Sequence, residues 1–226
     1  AIALCFLLML VGAPIWSAML VSGGMIVVLE IGMPAQAVVS QLFIAIDSWL
    51  LLAVPFFLLA GNLMTEMGLA GRLFRFIENL IGHLRGGLPA TGVVTCAIFG
   101  ARAGSSTATV GAVGAMLLPY MIRAGYDRRD ALGVIAVSGT LGQMIPPSIY
   151  MILFAAIAQM DVSKLFLAGV LPGLAITFLL VATAVGLSFF GDRQLPERAS
   201  LDEIGKSFVA ALPALAALYG VTADDI

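Results

Sequence analysis

The chain has 226 residues, 61% of them hydrophobic and 11% charged, with a net charge of −2 and a mean hydropathy of +1.09. A soluble domain of this length is roughly 45 to 50% apolar and about a quarter charged, so a water-facing globule is excluded and most of the surface must meet lipid. Eleven basic against thirteen acidic residues leave no basic surface for nucleic acid. Cys5 and Cys96, both inside apolar runs, make neither a disulfide framework nor a metal set.

Uncharged stretches run from Ala1 to Leu29, Ile31 to Ile46, Ser48 to Thr65, Gly86 to Ala101, Ala103 to Ile122, Ala131 to Met160, Leu165 to Gly191 and Ser207 to Ala223. A spanning helix needs about 20 mainly apolar residues. The first stretch is long enough to span. It is too long for the apolar core of a signal peptide, lacks a basic start and shows no small-residue cleavage site, and a chain beginning at Ala1 is expected to be trimmed or processed. Glu30 and Asp47 mark span ends. Ser48 to Thr65 is dense in large apolar side chains and reads as a span with Trp49 as its interfacial anchor.

The stretch from Gly86 to Ile122 would run about 55 Å as one helix, against a hydrocarbon core of about 30 Å, so it is expected to fold back. Its midpoint, GARAGSSTA, holds Gly100, Gly104, Ser105, Ser106 and Thr107 with a single charge, Arg102. Legs of about 14 to 18 residues fall short of a full crossing, which predicts a re-entrant hairpin over 86–122. The stretch over 131–160 is interrupted by GTLGQMIPPSI, where Pro146 and Pro147 remove two backbone donors and restrict the residues before them. It reads as one crossing made of two half-helices.

Charge asymmetry supports that topology. The loop from Glu66 to Arg85 carries Arg72, Arg75 and Arg85, and the loop from Arg123 to Asp130 carries Arg123, Arg128 and Arg129. Basic loops collect in the cytoplasm, so a fold-back between these two is required. The segment from Asp161 to Lys164 has one basic residue, the loop from Asp192 to Lys206 has Arg193, Arg198 and Lys206, and Glu30 to Asp47 has none. The predicted loop order is cytoplasm, outside, cytoplasm, cytoplasm, outside, cytoplasm.

Backbone groups are left bare at membrane depth only in protein or beside a wet cavity. Two such breaks, Gly100 to Thr107 and Gly142 to Ser148, suit a secondary transporter, in which half-helix N-termini face an anion and freed carbonyls hold Na⁺. The hydroxyls of Ser105, Ser106, Thr107 and Thr109 add neutral oxygen ligands. Gly100, Gly104, Gly111 and Gly114 can also be read as close-packing positions alone, and the double proline as a structural kink. Arg102 at the tip is either functional or reaching toward a cavity. His83 lies in a basic loop and reads as solvated. A hydrolase with Ser105 or Ser106 as nucleophile would need a base within hydrogen-bond reach, and His83 is the sole histidine.

The segments LVGAPIWSAML, VPFFLLAGNLM, GLAGRLFRF, GGLPATGVV, AGSSTATVGAVGAMLLPYM, RAGYDRRDALG and GQMIPPSIYMIL, between about Leu7 and Leu215, resemble the DctM-like large membrane subunit of tripartite ATP-independent periplasmic (TRAP) transporters. The resemblance implies an all-α, multi-pass protein of the bacterial inner membrane, half of an inverted-repeat, elevator-type carrier. It implies Na⁺-coupled uptake of a small organic acid, a C4-dicarboxylate or related carboxylate, with no cofactor and Na⁺ as coupling ion. The implied partners are a periplasmic solute-binding protein (DctP-like) and a small membrane subunit (DctQ-like).

The implied domains are scaffold-type helices and a cytoplasmic loop over 1–85, a transport-type region over 86–160 (hairpin 86–122, broken helix 131–160), and a further helix, cytoplasmic loop and tail over 161–226. By position Gly104, Ser105, Ser106 and Thr107 match the hairpin tip, and Gly142, Pro146, Pro147 and Ser148 the broken helix. Na⁺ is expected at Ser105, Ser106, Gly142 and Ser148. Arg102 and Ala103 stand where the family has Ile and Ser, which bears on ion occupancy and substrate preference. The family's second, inverted half is absent and the tail AALYGVTADDI departs from the expected continuation, so the chain is expected to be truncated or frame-shifted. A non-transporting structural subunit or fragment is the alternative function, with the intramembrane serine hydrolase behind it.

Overall fold

A computed structural model describes residues 2–47, 49–190 and 198–219. Arg193, the side chain of Trp49 and the tail from Gly220 lie outside the described residues. All regular structure among them is helical, in two compact units, Ala1–Leu51 and Leu52–Ile226.

The first unit holds α1 (Ile2–Leu10), α2 (Ile15–Leu29) and α3 (Ala35–Ile46). The sequence suggests one span from Ala1 to Leu29, and the structure divides it. Gly12 takes φ +89°, and Pro14, which has no N–H to give and a φ near −57°, stands as the N-cap of α2. α2 meets α3 at Gly24, where an added methyl would lie 3.5 Å from Val38 Cγ1, an ordinary van der Waals contact. Glu30 and Asp47 stand at the C-cap positions of α2 and α3.

In the second unit, α4 (Trp49–Glu66) is followed by α5 (Leu69–Ile81). The basic loop expected over 66–85 is therefore mostly helix. Leu69, Ala70, Leu73, Phe74 and Ile77 recur at helical spacing and are buried, while Arg72 and Arg75 point outward. α6 (Gly87–Ala103) buries 14 of its 17 residues and so has no exposed stripe. It is the centre of the unit.

α7 (Ser106–Arg123) runs back along α6. A methyl on Gly92 would strike Leu117, and one on Gly100 would lie 3.3 Å from Thr109 Oγ1, so partners on α7 fall in number as those on α6 rise. The legs have 17 and 18 residues, each about 26 Å long. α8 (Arg128–Gly139), α9 (Leu141–Met144) and α10 (Ile149–Ala158) follow, the run Arg128–Met144 being bent by 41° against Ile149–Ala158.

α11 (Val162–Leu187) is the one helix among the described residues long and apolar enough to cross a bilayer by itself, and only Gly173 and Ala184 on it are buried. Its outer face, with Leu167, Leu171 and Phe178 more than 70% exposed, is what lipid rather than water tolerates. α12 (Leu201–Tyr219) opens with a reciprocal cap: Ser200 N–H donates to Glu203 Oε2 at 2.8 Å and Glu203 N–H to Ser200 Oγ at 3.2 Å. It docks on α5 through the Asn79 Nδ2 to Ser207 Oγ bond of 3.1 Å and the Phe76–Phe208 ring pair at 5.4 Å. The core joins Phe74, Phe99, Val113, Leu117, Met121 and Ile135 from α5, α6, α7 and α8.

Candidate functional site

Gly104 ends α6 in the left-handed region, φ +58°, a conformation that costs a residue with a Cβ roughly 1 to 2 kcal/mol. The α6 ladder closes with Gly104 N–H on Gly100 O at 2.9 Å, and the α7 ladder opens with Thr109 N–H on Ser105 O at 3.1 Å. Carbonyls of Ala101 to Gly104 and amides of Ser105 to Ala108 therefore stand outside the backbone ladders. Ser105 is the extended N-cap of α7, but its side chain does not cap the helix; its Oγ lies 3.0 Å from Thr107 Oγ1.

The second break is built from different residues with the same outcome. Ile145 to Ser148 leave the helical region, with a cis bond between Pro146 and Pro147. Neither proline carries an N–H. Ser148 is the extended N-cap of α10, and again the side chain does not cap it: Ser148 Oγ donates to Gln143 O at 2.8 Å.

The two breaks converge. A methyl placed on Gly100 would lie 2.5 Å from Gly142 Cα, one on Gly142 3.0 Å from Ser105 O, and one on Gly104 3.2 Å from the backbone nitrogen of Ile149. Ser106 Oγ donates to Gln143 Oε1 at 3.2 Å across the junction. Glycine is needed at 100 and 142 because the backbones themselves touch. The close-packing reading thus holds at Gly100 and at Gly114, where a methyl would meet Ile135 Cγ2 at 2.8 Å, while Gly111 has open space around it.

Of the residues singled out from the sequence, Gly104, Ser105, Ser106, Gly142 and Ser148 are brought to one place, with Thr107 bonded to Ser105 and exposed, and Pro146 and Pro147 half-buried between Gln143 and Ser148. Arg102 lies on the last turn of α6, half-buried, its Nε buried without a hydrogen-bond partner. Thr109 turns inward: it is fully buried and its hydroxyl donates to Ser105 O at 2.8 Å. Gln143 was missed by sequence reasoning. Nothing in a single chain pairs position 106 with position 143, and the one available signal was an amide inside an apolar break.

Electrostatically the junction has two characters. The N-termini of α7 and α10, both without side-chain caps, present amide donors and the positive ends of helix dipoles. The C-terminus of α6 presents carbonyls. The oxygens here, from hydroxyls, carbonyls and the Gln143 amide, are neutral hard donors. The serine partners are neutral too, Thr107 for Ser105 and Gln143 for Ser106, so neither serine touches a base that could activate it.

His83 is not fully solvated as its basic loop suggested. It is half-buried, with Nδ1 lacking a partner, because the turn into α6 is pressed onto α11: a methyl on Gly86 would sit 2.8 Å from Val185 Cα. Arg85 lies over the Phe189 ring at 5.5 Å. Outside the apolar segments, burial pushes the Glu78 carboxyl above the usual carboxylate range, an effect that nearby Arg75 partly offsets.

The family model for the tripartite ATP-independent periplasmic transporter, DctM component, matches residues 2–223. The chain is 43% identical over 160 residues to the C4-dicarboxylate TRAP transporter large permease protein of Pseudomonas aeruginosa, covering 71% of this chain and 38% of that protein. It is 40% identical over 190 residues to the protein of the same description in Rhodobacter capsulatus, 77% of this chain and 43% of the relative. It is 36% identical over 205 residues to the 2,3-diketo-L-gulonate TRAP transporter large permease protein of Escherichia coli, 91% of this chain and 48% of the relative. The chain spans less than half the length of each.

Proposed function

Because the chain belongs to the DctM component family of tripartite ATP-independent periplasmic transporters, a family of membrane permeases and not of enzymes, we propose that the junction of its two helix breaks is half of a solute and Na⁺ site. The solute is a small organic acid, a C4-dicarboxylate or a related carboxylate, in keeping with the substrates for which the relatives above are named. The observation that carries this reading is the convergence itself: Gly104 against the first amide of α10, and Gly142 against the carbonyl of Ser105.

Two uncapped helix N-termini at one point favour an anion. Carbonyls and hydroxyls at the same point favour a cation. A cation and a carboxylate about 4 Å apart attract by roughly 4 kcal/mol at an effective dielectric near 20, so Na⁺ bound first lowers the cost of burying the acid. Arg102, Gly104, Ser105, Ser106, Thr107, Gly142, Pro146, Pro147 and Ser148 form the site, with Na⁺ at Ser105, Ser106, Gly142 and Ser148. No covalent chemistry is involved.

In this reading α6 and α7 are a re-entrant hairpin, α8 to α10 are one broken crossing, and the region 86–160 moves as the transport part of an elevator against a scaffold over 1–85. The protein is multi-pass in a bacterial inner membrane. A small membrane subunit and a periplasmic binding protein complete the system, and a second, inverted half supplies the other side of the site.

The test is uptake into proteoliposomes that contain the chain together with a second, inverted half, a candidate small subunit and a candidate binding protein loaded with labelled succinate. Accumulation that follows an inward Na⁺ gradient and disappears with K⁺ is the expected result. No uptake under any gradient would contradict it and leave a non-transporting structural subunit as the reading.

A further inference from the structure

Gln143 holds both breaks at once. Its side-chain oxygen accepts from Ser106 Oγ at the first turn of α7, and its backbone oxygen accepts from Ser148 Oγ at the N-cap of α10. The side chain reaches across 37 positions of sequence to do so. With Oε1 taken up by Ser106, the planar amide is fixed about that bond, and Nε2 has no hydrogen-bond partner among the described residues. An amide nitrogen carries two N–H donors.

We infer that Gln143 is a specificity-determining residue whose Nε2 donates to a carboxylate oxygen of the bound solute, beside the uncapped amides of α7 and α10. The inference rests on the reading of the junction as the solute site. Its chemistry is selective. The two uncharged N–H donors of Nε2 suit a carboxylate oxygen and offer nothing to Na⁺, whereas Oε1, which already accepts from Ser106 Oγ, is the one end of the amide a cation could share. Hydrogen bonds to a charged acceptor are the strong class, so removing these donors should weaken binding of the acid by roughly 10- to 100-fold.

Two substitutions separate donation from simple bracing. Gln143→Glu keeps an oxygen for Ser106 Oγ and replaces the N–H donors by a second acceptor. Gln143→Met keeps the length and neutrality of the side chain and removes donor and acceptor together. In lipid nanodiscs that hold the chain together with a second, inverted half, succinate affinity is measured at saturating Na⁺, and the Na⁺ response is followed separately as the rise in melting temperature on replacing K⁺ by Na⁺.

The expected result is that both variants lose succinate affinity, Glu more than Met, while both keep the Na⁺-induced rise. Succinate affinity of the Met variant within twofold of the parent overturns the inference and leaves the site reading intact. A Met variant that loses the Na⁺ response and succinate together also overturns it, since Gln143 is then a brace only. A parent chain that binds no succinate at any Na⁺ concentration overturns the site reading and the inference with it.

Discussion

At the scale of single residues, the junction is defined by what is missing. Gly100 and Gly142 let two backbones touch, and a methyl on Gly100 would lie 2.5 Å from Gly142 Cα. Backbone cannot swing aside as a flexible side chain can, so Gly100→Ala should cost about 1 to 3 kcal/mol through overpacking. Gly111 on the adjacent helix has nothing within 4 Å of such a methyl and normal helical backbone. Gly111→Ala should therefore be neutral or stabilising by up to about 1 kcal/mol. Melting temperatures of the two variants in the same detergent check the pair, and equal losses would contradict the packing described. The sequence made the breaks legible at this scale because Gly104, Pro146 and Pro147 have few other uses inside an apolar run. It could not reveal Gln143, whose meaning depends on Ser106 lying opposite it, nor that the Thr109 hydroxyl turns back onto Ser105 O.

At the scale of elements, charge marking located the apolar segments but hid α5. Arg72, Arg75 and Glu78 cut the segment into pieces too short to notice, although Leu69, Leu73, Phe74 and Ile77 carry the helical repeat. The opposite error occurred over 1–29, where the absence of charge concealed the stop at Gly12 and Pro14. The α5 helix also carries a pH prediction. Burial raises the folded-state pKa of Glu78 above its ordinary value of 4.5, so the folded protein holds its proton more tightly than the unfolded chain. That contribution is favourable at low pH and is lost as pH rises through the raised value. Glu78→Gln should therefore raise the melting temperature at neutral pH and change it little at a pH of about 4. Thermal unfolding at the two pH values checks the sign, and a variant less stable at neutral pH than at acid pH, relative to the parent, would contradict it.

At the scale of the whole molecule, the most buried helix among the described residues is α6, short of a full crossing, while the longest apolar helix, α11, buries only Gly173 and Ala184. That inversion is what the proposed re-entrant hairpin requires, because unpaired backbone at membrane depth has to be enclosed in protein, with a lipid-facing helix outside it. Basic residues gather at the outer ends of the hairpin legs, at Arg85 before α6 and at Arg123, Arg128 and Arg129 after α7, and like-charged ends belong on one side of a membrane. The decisive measurement places single cysteines at Leu84 and Arg128, both exposed, in a Cys5→Ser background where Cys96 stays buried. Each is challenged with a membrane-impermeant maleimide in right-side-out and inside-out vesicles. Labelling of both from the cytoplasmic face alone is the predicted result; labelling of the two from opposite faces would mean that α6 and α7 together cross the bilayer and no hairpin re-enters it.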